Sequence, residues 1–429
     1  MPPTDGARPA GGGGSITRRL ALLLAGLLAI ATLAGLRAQT REPLVILVSF
    51  DGWRWDYTDR ASVPNLKALA ARGVRAKELI PSFPSLTFPN HYTLVTGLYP
   101  GHHGIVSNTM ATPTMPQRFS PSSNTVRDAA WWGGEPIWAT AIRQNRRAMA
   151  MFWPGSEAPI GGTLPTRWWP FDGDVPNAER VTRVLDWLSL PEAERPALVT
   201  LYFQEVDHVG HVYGPDSPEV LAAAAHLDAA LGQLVDGIER LGLAERTNIV
   251  VVSDHGMARH TDDQMVFLDA AIDPSTLTVI STGELVQLAP PPGRERGPSS
   301  IDTIARALRG KLPHVRVYTR AEIPERYHYR DHPHIAPIVG VADEGWIVTT
   351  RDQESRRRPG AEAQRGAHGY DPALRSMHGL FVAAGPGVRQ GLVAEPFENV
   401  HVYEFLCALL KLKPATNDGD TRTTSGFLQ

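Results

Sequence analysis

One threonine in this sequence stands where a nucleophile would be useful. Thr87 lies in the proline-rich stretch 81–93, and a threonine in such a stretch is, on its own, typical of a turn. Acidic and histidine side chains beside apolar runs give it a different context: Asp51, Asp207, His211, Asp254, His255 and His378. Carboxylate oxygen and imidazole nitrogen are ligands that suit zinc. We therefore interpret Thr87 as a nucleophile held between two metal ions, an arrangement that suits in-line phosphoryl displacement.

The apolar runs indicate how these side chains would be brought together. Runs at 44–50, 198–203 and 248–253 are rich in Val, Ile and Leu, and each leads into one of the three aspartates. Continuous runs of this kind are typical of buried parallel strands, and sites form outside the carboxyl ends of such strands. His378 instead precedes a run at 380–384, so we expect it to arrive on a loop.

The rest of the chain predicts an α/β fold. Residues 177–190 and 217–241 have helical spacing, and helices alternating with strands imply a mainly parallel sheet. Residues 256–375 are less regular, with a predicted helix at 300–311 and a predicted strand at 314–319. We interpret this last region as an inserted, smaller subdomain.

Composition excludes some classes of protein. The chain has 429 residues, of which 42% are hydrophobic and 20% charged, enough for one large α/β domain. Its formal charge of -3 gives no basic field, so we expect no binding of nucleic-acid polymers. Cys407 is the only cysteine, so no intrachain disulfide can form.

The N-terminal residues read as a targeting segment. Residues 1–15 are rich in Pro and Gly and are predicted to be disordered. Two arginines then precede an apolar run at 20–36, which is typical of a secretory signal with cleavage after Ala38. The run is 17 residues long, the lower limit for a membrane span, so an uncleaved anchor is the alternative. We predict a signal peptide or anchor at 1–38, a catalytic domain at 39–429, and a periplasmic or secreted location.

Several short motifs then identify a family. They are Phe50-Asp51-Gly52, Thr87-Phe88-Pro89-Asn90-His91-Tyr92, Val95-Thr96-Gly97, His103-Gly104-Ile105, Asp207-His208-Val209-Gly210-His211, Ser253-Asp254-His255-Gly256 and His378-Gly379. With these motifs the chain resembles the bacterial nucleotide pyrophosphatases/phosphodiesterases, or type I phosphodiesterases, of the alkaline phosphatase superfamily. The resemblance covers roughly residues 43–429. It implies an alkaline-phosphatase-like α/β/α sandwich with a mainly parallel central sheet.

The resemblance also implies two Zn²⁺ ions per chain. One ion would be held by Asp207, His211 and His378. The other would be held by Asp51, Asp254 and His255, with the oxygen of Thr87 completing its ligands. In the family an asparagine binds a phosphoryl oxygen, and Asn108 matches that position.

The implied reaction is hydrolysis of nucleotide phosphodiester and pyrophosphate bonds through a phosphothreonine intermediate. Thr87 would attack phosphorus, while Asn108 and the Phe88 backbone N–H stabilise the other oxygens. Phe88 and Phe171 would sandwich the base, and nucleoside 5′-monophosphates would be released. The expected partners are small nucleotides or dinucleotides, with membrane contact only through an uncleaved N-terminal segment.

Two alternatives remain open at this stage. A lipid-headgroup phosphodiesterase acting on choline-type esters would use the same metals and threonine, with a cage for a cation. An envelope metal-binding protein without activity is the non-enzymatic alternative. Sulfatases and monoester phosphatases fit less well, because Cys407 lacks a Cys-x-Pro-x-Arg setting and no arginine neighbours Thr87. The sequence leaves the oligomeric state open.

Overall fold

The apolar runs form the centre of an eight-stranded sheet in the computed structural model of the chain. The strands are β1 (Leu44–Phe50), β2 (Val74–Ala76), β3 (Ala148–Met151), β4 (Arg167–Trp168), β5 (Leu198–Phe203), β6 (Thr247–Val252), β7 (Phe381–Ala384) and β8 (Leu392–Ala394). Their order across the sheet is β8-β2-β7-β6-β1-β5-β3-β4. Strand β7 runs antiparallel to β2 and β6, and the other neighbouring pairs are parallel. The predicted α/β fold with a mainly parallel sheet is therefore confirmed.

Strand β1 lies between β6 and β5 and is buried at every residue. The same is true of β5 and β6. Strands covered on both faces read as unbroken apolar runs, which explains why these three were visible in the sequence. Because these strands are parallel and in register, the residues that follow Phe50, Phe203 and Val252 lie together beyond the carboxyl ends of the strands.

The part of the chain that the structure describes contains eight helices of seven or more residues. They are α1 (Pro64–Ala71), α2 (Thr87–Thr96), α3 (Ile137–Arg143), α4 (Asn177–Ser189), α5 (Glu205–Tyr213), α6 (Pro218–Arg240), α7 (Ile301–Leu308) and α8 (Val402–Leu410). Shorter helical segments lie at Tyr57–Arg60, Pro100–His103, Arg351–Ser355 and Thr421–Ser425. Helices α1, α4 and α5 pack against α6, whereas α2 and α3 pack against α8. The helices in these contacts therefore form two separate groups.

The helix starts follow local chemistry. Ser217 caps α6 by accepting a hydrogen bond from the backbone N–H of Val220 at 3.2 Å, and Pro218 occupies the first helical position. Helix α2 begins at Thr87, two residues before Pro89. Pro89 does not prevent this, because a proline in the first turn of a helix loses no intrahelical hydrogen bond.

A second sheet lies within the region predicted as a subdomain. Its antiparallel strands are Thr278–Ser281, Leu285–Ala289, Ile338–Ala342 and Val315–Thr319, in that order across the sheet. Helix α7 packs on it over a separate apolar cluster that includes Leu288, Ile304, Leu308 and Ile338. The predicted helix at 300–311 and strand at 314–319 are confirmed, whereas treating 256–375 as an insertion stays a prediction. Two-residue and three-residue strands pair at Leu79–Ile80 with Phe397–Glu398, Ala258–Arg259 with Gly366–Ala367, and Met265–Phe267 with Ile347–Thr349.

The structure describes residue 6 and residues 42–293, 300–356 and 364–429. The predicted signal segment and its cleavage site after Ala38 lie outside these residues. Residues Pro43–Gln429 make up one compact unit. Within the described part of the chain, no helix combines the length and the apolar character needed to cross a membrane.

Candidate active site

The site forms where the central strands end. Asp51 directly follows β1, Asp254 comes two residues after β6, and Asp207 lies in α5, which begins two residues after β5. Gly52 has φ of +68°, and a Cβ atom there would come within 2.7 Å of the Asp207 Cα atom. Glycine therefore permits the close approach of the segments that carry Asp51 and Asp207.

A first cluster combines Asp51, Asp254 and His255, whose candidate ligand atoms all lie within 4.8 Å of one another. Nε2 of His255 is 3.0 Å from Asp254 Oδ2 and 3.5 Å from Asp51 Oδ1. The Thr87 hydroxyl lies 3.3 Å from the same nitrogen. The predicted nucleophile is thus beside the predicted ligands, at the N-terminus of α2, where backbone N–H groups favour negative charge.

A second cluster combines Asp207, His211 and His368, again with ligand atoms within 4.8 Å of one another. Nε2 of His211 is 3.5 Å from Asp207 Oδ1, and Nε2 of His368 is 3.4 Å from the same oxygen. Asp207 and His211 are four residues apart on α5, so both project from one face of the helix. Two of the three ligands predicted for this ion are therefore together.

The third predicted ligand, His378, is not in this cluster. Its Nδ1 lies 2.5 Å from a carboxylate oxygen of Glu78, and its Nε2 lies 2.9 Å from the carbonyl oxygen of Pro372. His368, which was not predicted as a ligand, lies in the cluster in its place. His368-Gly369 and His378-Gly379 lie ten residues apart, and the apolar run after the second pair is what favours His378 in the sequence. The missed signal is Gly366-Ala367-His368, in which a short strand leads into the histidine.

The three histidines of the two clusters all direct Nδ1 toward a backbone carbonyl oxygen. Nδ1–H of His255 donates to the carbonyl oxygen of Gly256 at 2.8 Å. Nδ1–H of His211 and of His368 donates to the carbonyl oxygens of Gly366 and Ser85, both at 2.9 Å. A carbonyl can only accept, so these bonds place the proton on Nδ1 and leave the Nε2 lone pair for a ligand.

The carboxylates provide the matching oxygens. Asp51 Oδ1, Asp207 Oδ1 and Asp254 Oδ2 are buried and accept no hydrogen bond from the described residues. Buried carboxylate oxygens without a donor are costly unless a cation satisfies them. Two carboxylates with one histidine, and one carboxylate with two histidines, are donor sets that fit divalent zinc. The residues present therefore fit the two-ion arrangement.

The electrostatics of the first cluster show the same need for positive charge. Burial and the carboxylates of Asp254 and Asp207 raise the pKa of Asp51 well above its ordinary value. Burial opposes ionisation of Asp254 too, but His255 and His91 hold its pKa well below the ordinary value. The Tyr202 hydroxyl donates to Asp51 Oδ2 at 2.5 Å. The remaining oxygen of Asp51 is the one that lacks a donor.

The two clusters touch through aromatic rings. The His255 ring stacks on the His368 ring, with centroids 3.5 Å apart and planes 14° apart. Because one ring belongs to each cluster, the two groups of candidate ligands are in direct contact.

Asn108 lies beside the start of α2. Its Oδ1 accepts a hydrogen bond from the Phe88 backbone N–H at 2.8 Å. The acceptor of the amide is therefore used, and its NH₂ group is the part able to donate to an anion. The Phe88 N–H, predicted to stabilise a phosphoryl oxygen, orients Asn108 in this structure.

A cavity of about 1190 Å³ opens from the site. Members of both clusters and the predicted substrate residues line it together, including Asp51, Thr87, Phe88, Asn108, Phe171, Asp207 and His211. Phe171 is 52% exposed, and the edges of Phe152 and Tyr202 support its ring at centroid distances of 5.3 and 5.8 Å. Phe88 packs against Phe119. The rings of Phe88 and Phe171 therefore line the same cavity as Thr87.

Comparison with known proteins agrees with this geometry. The model of the type I phosphodiesterase / nucleotide pyrophosphatase family matches residues 45–371. A pyrophosphatase/phosphodiesterase of Schizosaccharomyces pombe is 39% identical over 394 residues, which cover 88% of this chain and 79% of the yeast protein. Ectonucleotide pyrophosphatase/phosphodiesterase family member 1 of Homo sapiens is 37% identical over 88% of this chain. The chain covers 41% of that human protein, and 45% of a venom phosphodiesterase of Crotalus durissus collilineatus that is 38% identical.

Solved structures extend the likeness to the fold. Human ectonucleotide pyrophosphatase/phosphodiesterase 5 superposes with a TM-score of 0.84 at 33% identity, covering 90% of this chain and all of the human chain. The murine counterpart, an inactive threonine-to-alanine variant in complex with AMP, gives a TM-score of 0.83 at 34% identity. These matches confirm the family resemblance and the alkaline-phosphatase-like fold, and they favour an enzyme over a binding protein without activity. The chain is therefore an enzyme that belongs to the type I phosphodiesterase / nucleotide pyrophosphatase family.

Proposed function

We propose that this enzyme hydrolyses nucleotide phosphodiester and pyrophosphate bonds and releases nucleoside 5′-monophosphates. One observation carries the proposal: the Thr87 hydroxyl lies 3.3 Å from Nε2 of His255, where the ligand clusters meet the aromatic cavity. A related murine structure holds AMP and is inactive with a threonine replaced by alanine, which supports both a nucleotide ligand and an essential threonine.

The proposal includes two Zn²⁺ ions per chain. Asp51, Asp254 and His255 would hold one ion with the oxygen of Thr87. Asp207, His211 and His368 would hold the other, so His368 takes the place first assigned to His378. When bound, the ions supply Lewis acidity that makes a hydroxyl more acidic and offsets the charge of the phosphoryl group.

The side chains then have separate tasks. Thr87 Oγ loses its proton to solvent and attacks phosphorus, the bond to the leaving oxygen breaks, and a phosphothreonine that still carries the nucleoside forms. Water next cleaves the bond between phosphorus and Thr87 Oγ, which restores the hydroxyl. The NH₂ group of Asn108 donates to a non-bridging oxygen, because its Oδ1 is already held by the Phe88 N–H at 2.8 Å.

Two aromatic side chains would favour esters whose alcohol part is a nucleoside. Phe88 and Phe171 line the cavity with Thr87, so a base between their rings would place its 5′-phosphate at the nucleophile. Stacking on aromatic rings contributes about 1–3 kcal/mol per base and tolerates different bases. We therefore expect several nucleotides, including dinucleotides, to be substrates.

A substrate panel tests the proposal. Purified, zinc-loaded enzyme is given a nucleoside 5′-nitrophenyl ester, ATP, a cyclic dinucleotide, glycerophosphocholine and a nitrophenyl phosphomonoester. The nucleoside ester should be cleaved at least about 100-fold faster than the monoester, because no arginine is next to Thr87 in the sequence to bind a second phosphoryl charge. Equal rates for ester and monoester would overturn the diesterase assignment. Faster turnover of glycerophosphocholine would establish the lipid-headgroup activity instead.

We also propose that the enzyme acts outside the cytoplasm, in a periplasm or as a secreted protein. The supporting observations are the basic and apolar character of residues 18–36 and the names of two relatives, a venom phosphodiesterase and an ectonucleotide pyrophosphatase/phosphodiesterase. Fractionation of cells producing the full chain, with mass spectrometry of the N-terminal peptide, tests this. Recovery from the cytoplasm with residues 1–38 intact would contradict it.

A further inference from the structure

A buried arginine lies behind the wall of the cavity. Arg180 projects from α4 and is 1% exposed. Its guanidinium donates to four oxygens: from Nε to Val175 O at 2.9 Å, from Nη1 to Tyr202 O at 3.0 Å and Gln204 Oε1 at 2.6 Å, and from Nη2 to Gly173 O at 3.3 Å. The group thus joins the segment before α4 to the end of β5.

Burying the charge of Arg180 at this position costs free energy. Arginine is rarely buried unless it is paired with a carboxylate, yet these four oxygens are neutral. Burial lowers the pKa of Arg180, although Tyr202, Asp172 and Glu205 oppose the effect. A guanidinium is suited to this place because its planar fork can reach several oxygens at once.

The segment that Arg180 holds carries Phe171. Residues 171–175 contain neither helix nor strand, and most of them are exposed. Three side chains attach the segment to the rest of the protein: Glu157 accepts from Phe171 N at 2.9 Å, Gln204 donates to Gly173 O at 3.0 Å, and Arg180 binds at Gly173 and Val175. Of these three, Arg180 is the one that is almost fully buried.

A chain of rings connects the same arginine with Phe171. The guanidinium lies 5.0 Å from the centre of the Phe152 ring, and that ring meets the edge of Phe171 at 5.3 Å. Phe152 directly follows β3 and has φ of +58°, which is unfavourable for a large side chain. The surrounding contacts outweigh that backbone cost and keep the Phe152 ring between Arg180 and Phe171.

We propose that Arg180 is a positioning residue that holds Phe171 in place as one wall of the nucleobase slot, and thereby sets the preference for phosphodiesters that carry a base. This inference rests on the proposed nucleotide activity. It assigns Arg180 no contact with the reacting atoms. Loss of the guanidinium should release residues 171–175 and leave the chemistry at Thr87 intact.

The test compares two substrates in two matched variants. Arg180→Met removes the guanidinium and keeps an unbranched apolar chain, whereas Arg195→Met removes an arginine whose Nε donates to Leu188 O at 2.7 Å just beyond α4. Both are assayed with a nucleoside 5′-nitrophenyl ester and with methyl nitrophenyl phosphate, which has no base. Arg180→Met should lower kcat/KM for the nucleoside ester by about 5- to 50-fold, mainly through KM, and for the methyl ester by less than about 2-fold. Arg195→Met should leave the ratio of the two substrates unchanged.

The other outcomes are also informative. Equal losses for both substrates in a folded Arg180→Met protein, or no loss for either, would overturn the positioning role. If Arg180→Met does not fold, Gln204→Ala removes the second side-chain bond to Gly173 O from the cavity side. A selective loss for the nucleoside ester in that variant supports the proposal, and an unchanged substrate ratio overturns it. A parent enzyme without preference for the nucleoside ester would instead contradict the proposed function itself.

Discussion

Asp207 Oδ1 lies 3.4 Å from Nε2 of His368, so a residue that follows the short strand Gly366–Ala367 completes the second ligand cluster. His378, ten residues later, directs its two ring nitrogens toward Glu78 and Pro372. The two histidines thus form a natural comparison between a ligand and a structural residue.

His368→Ala should remove about one metal ion per chain, because one carboxylate and one histidine are too few for a tetrahedral zinc site. His378→Ala is the matched control and should retain both ions. Metal analysis of the two purified variants measures the difference. Depletion by His378→Ala but not by His368→Ala would restore the assignment made from the sequence.

Thr87→Ala should lower kcat for a nucleoside ester by roughly 10³-fold or more, since no other hydroxyl occupies this place in the mechanism. It should keep most of its zinc, because Asp51, Asp254 and His255 remain. Thr87→Ser should retain part of the activity. Mass spectrometry of enzyme quenched during turnover should find a nucleoside monophosphate attached to residue 87 of the parent. Near-parental activity of Thr87→Ala would show that water attacks the substrate directly.

Phe171→Ala should weaken transition-state binding of nucleoside esters by about 1–3 kcal/mol in kcat/KM. A small phosphodiester without a base should be affected much less, since it does not reach the slot. Circular dichroism and Tm of the variant provide the folding control, and little change is expected because Phe171 is 52% exposed. Parallel losses for both substrates in a folded protein would argue against stacking.

Asp371 provides a prediction about pH and stability. Burial opposes its ionisation, but hydrogen bonds from Arg326, the backbone N–H of Ala373 and Tyr327 lower the pKa of Asp371 to about 2. A carboxyl with a depressed folded-state pKa stabilises the protein above its unfolded pKa of about 3.9, and this contribution disappears as the pH falls toward 2. Asp371→Asn should therefore have a lower Tm than the parent at pH 7. The difference should shrink between about pH 4 and pH 2.

Thermal unfolding of both proteins across this pH range measures the effect. The chelated forms are compared, so that metal release at low pH does not contribute. A Tm difference that is constant from pH 7 to pH 2 would show that the Asp371→Asn substitution perturbs packing, and that the lost charge is not the cause.

The sequence was most informative where one local rule decided the outcome. Asp51 and Asp254 follow fully buried strands, and the carboxyl ends of parallel strands meet, so their proximity could be predicted. The spacing of Asp207 and His211 similarly fixed both on one helix face. The choice between His368 and His378 depends on how a long loop returns to the site, and no local pattern encodes that path.

The burial of Arg180 could not be predicted from the sequence for a different reason. On a helix with alternating charged and apolar residues, an arginine is expected to face solvent. Its burial depends on carbonyls from residues 173, 175 and 202, which only tertiary structure brings together. The four-stranded sheet within 278–342 likewise consists of strands of only four or five residues, and the sequence indicated one of the four.

The stacked rings of His255 and His368 have a consequence for how zinc is taken up. Each ring presents its Nε2 to a different cluster, so an ion that orders one ring also restricts its neighbour. The two affinities are then thermodynamically linked, and the influence of each ion on the other is equal in size. Removing a ligand from either cluster should weaken the remaining ion as well. The enzyme would therefore bind each ion with an affinity that depends on whether the other site is filled.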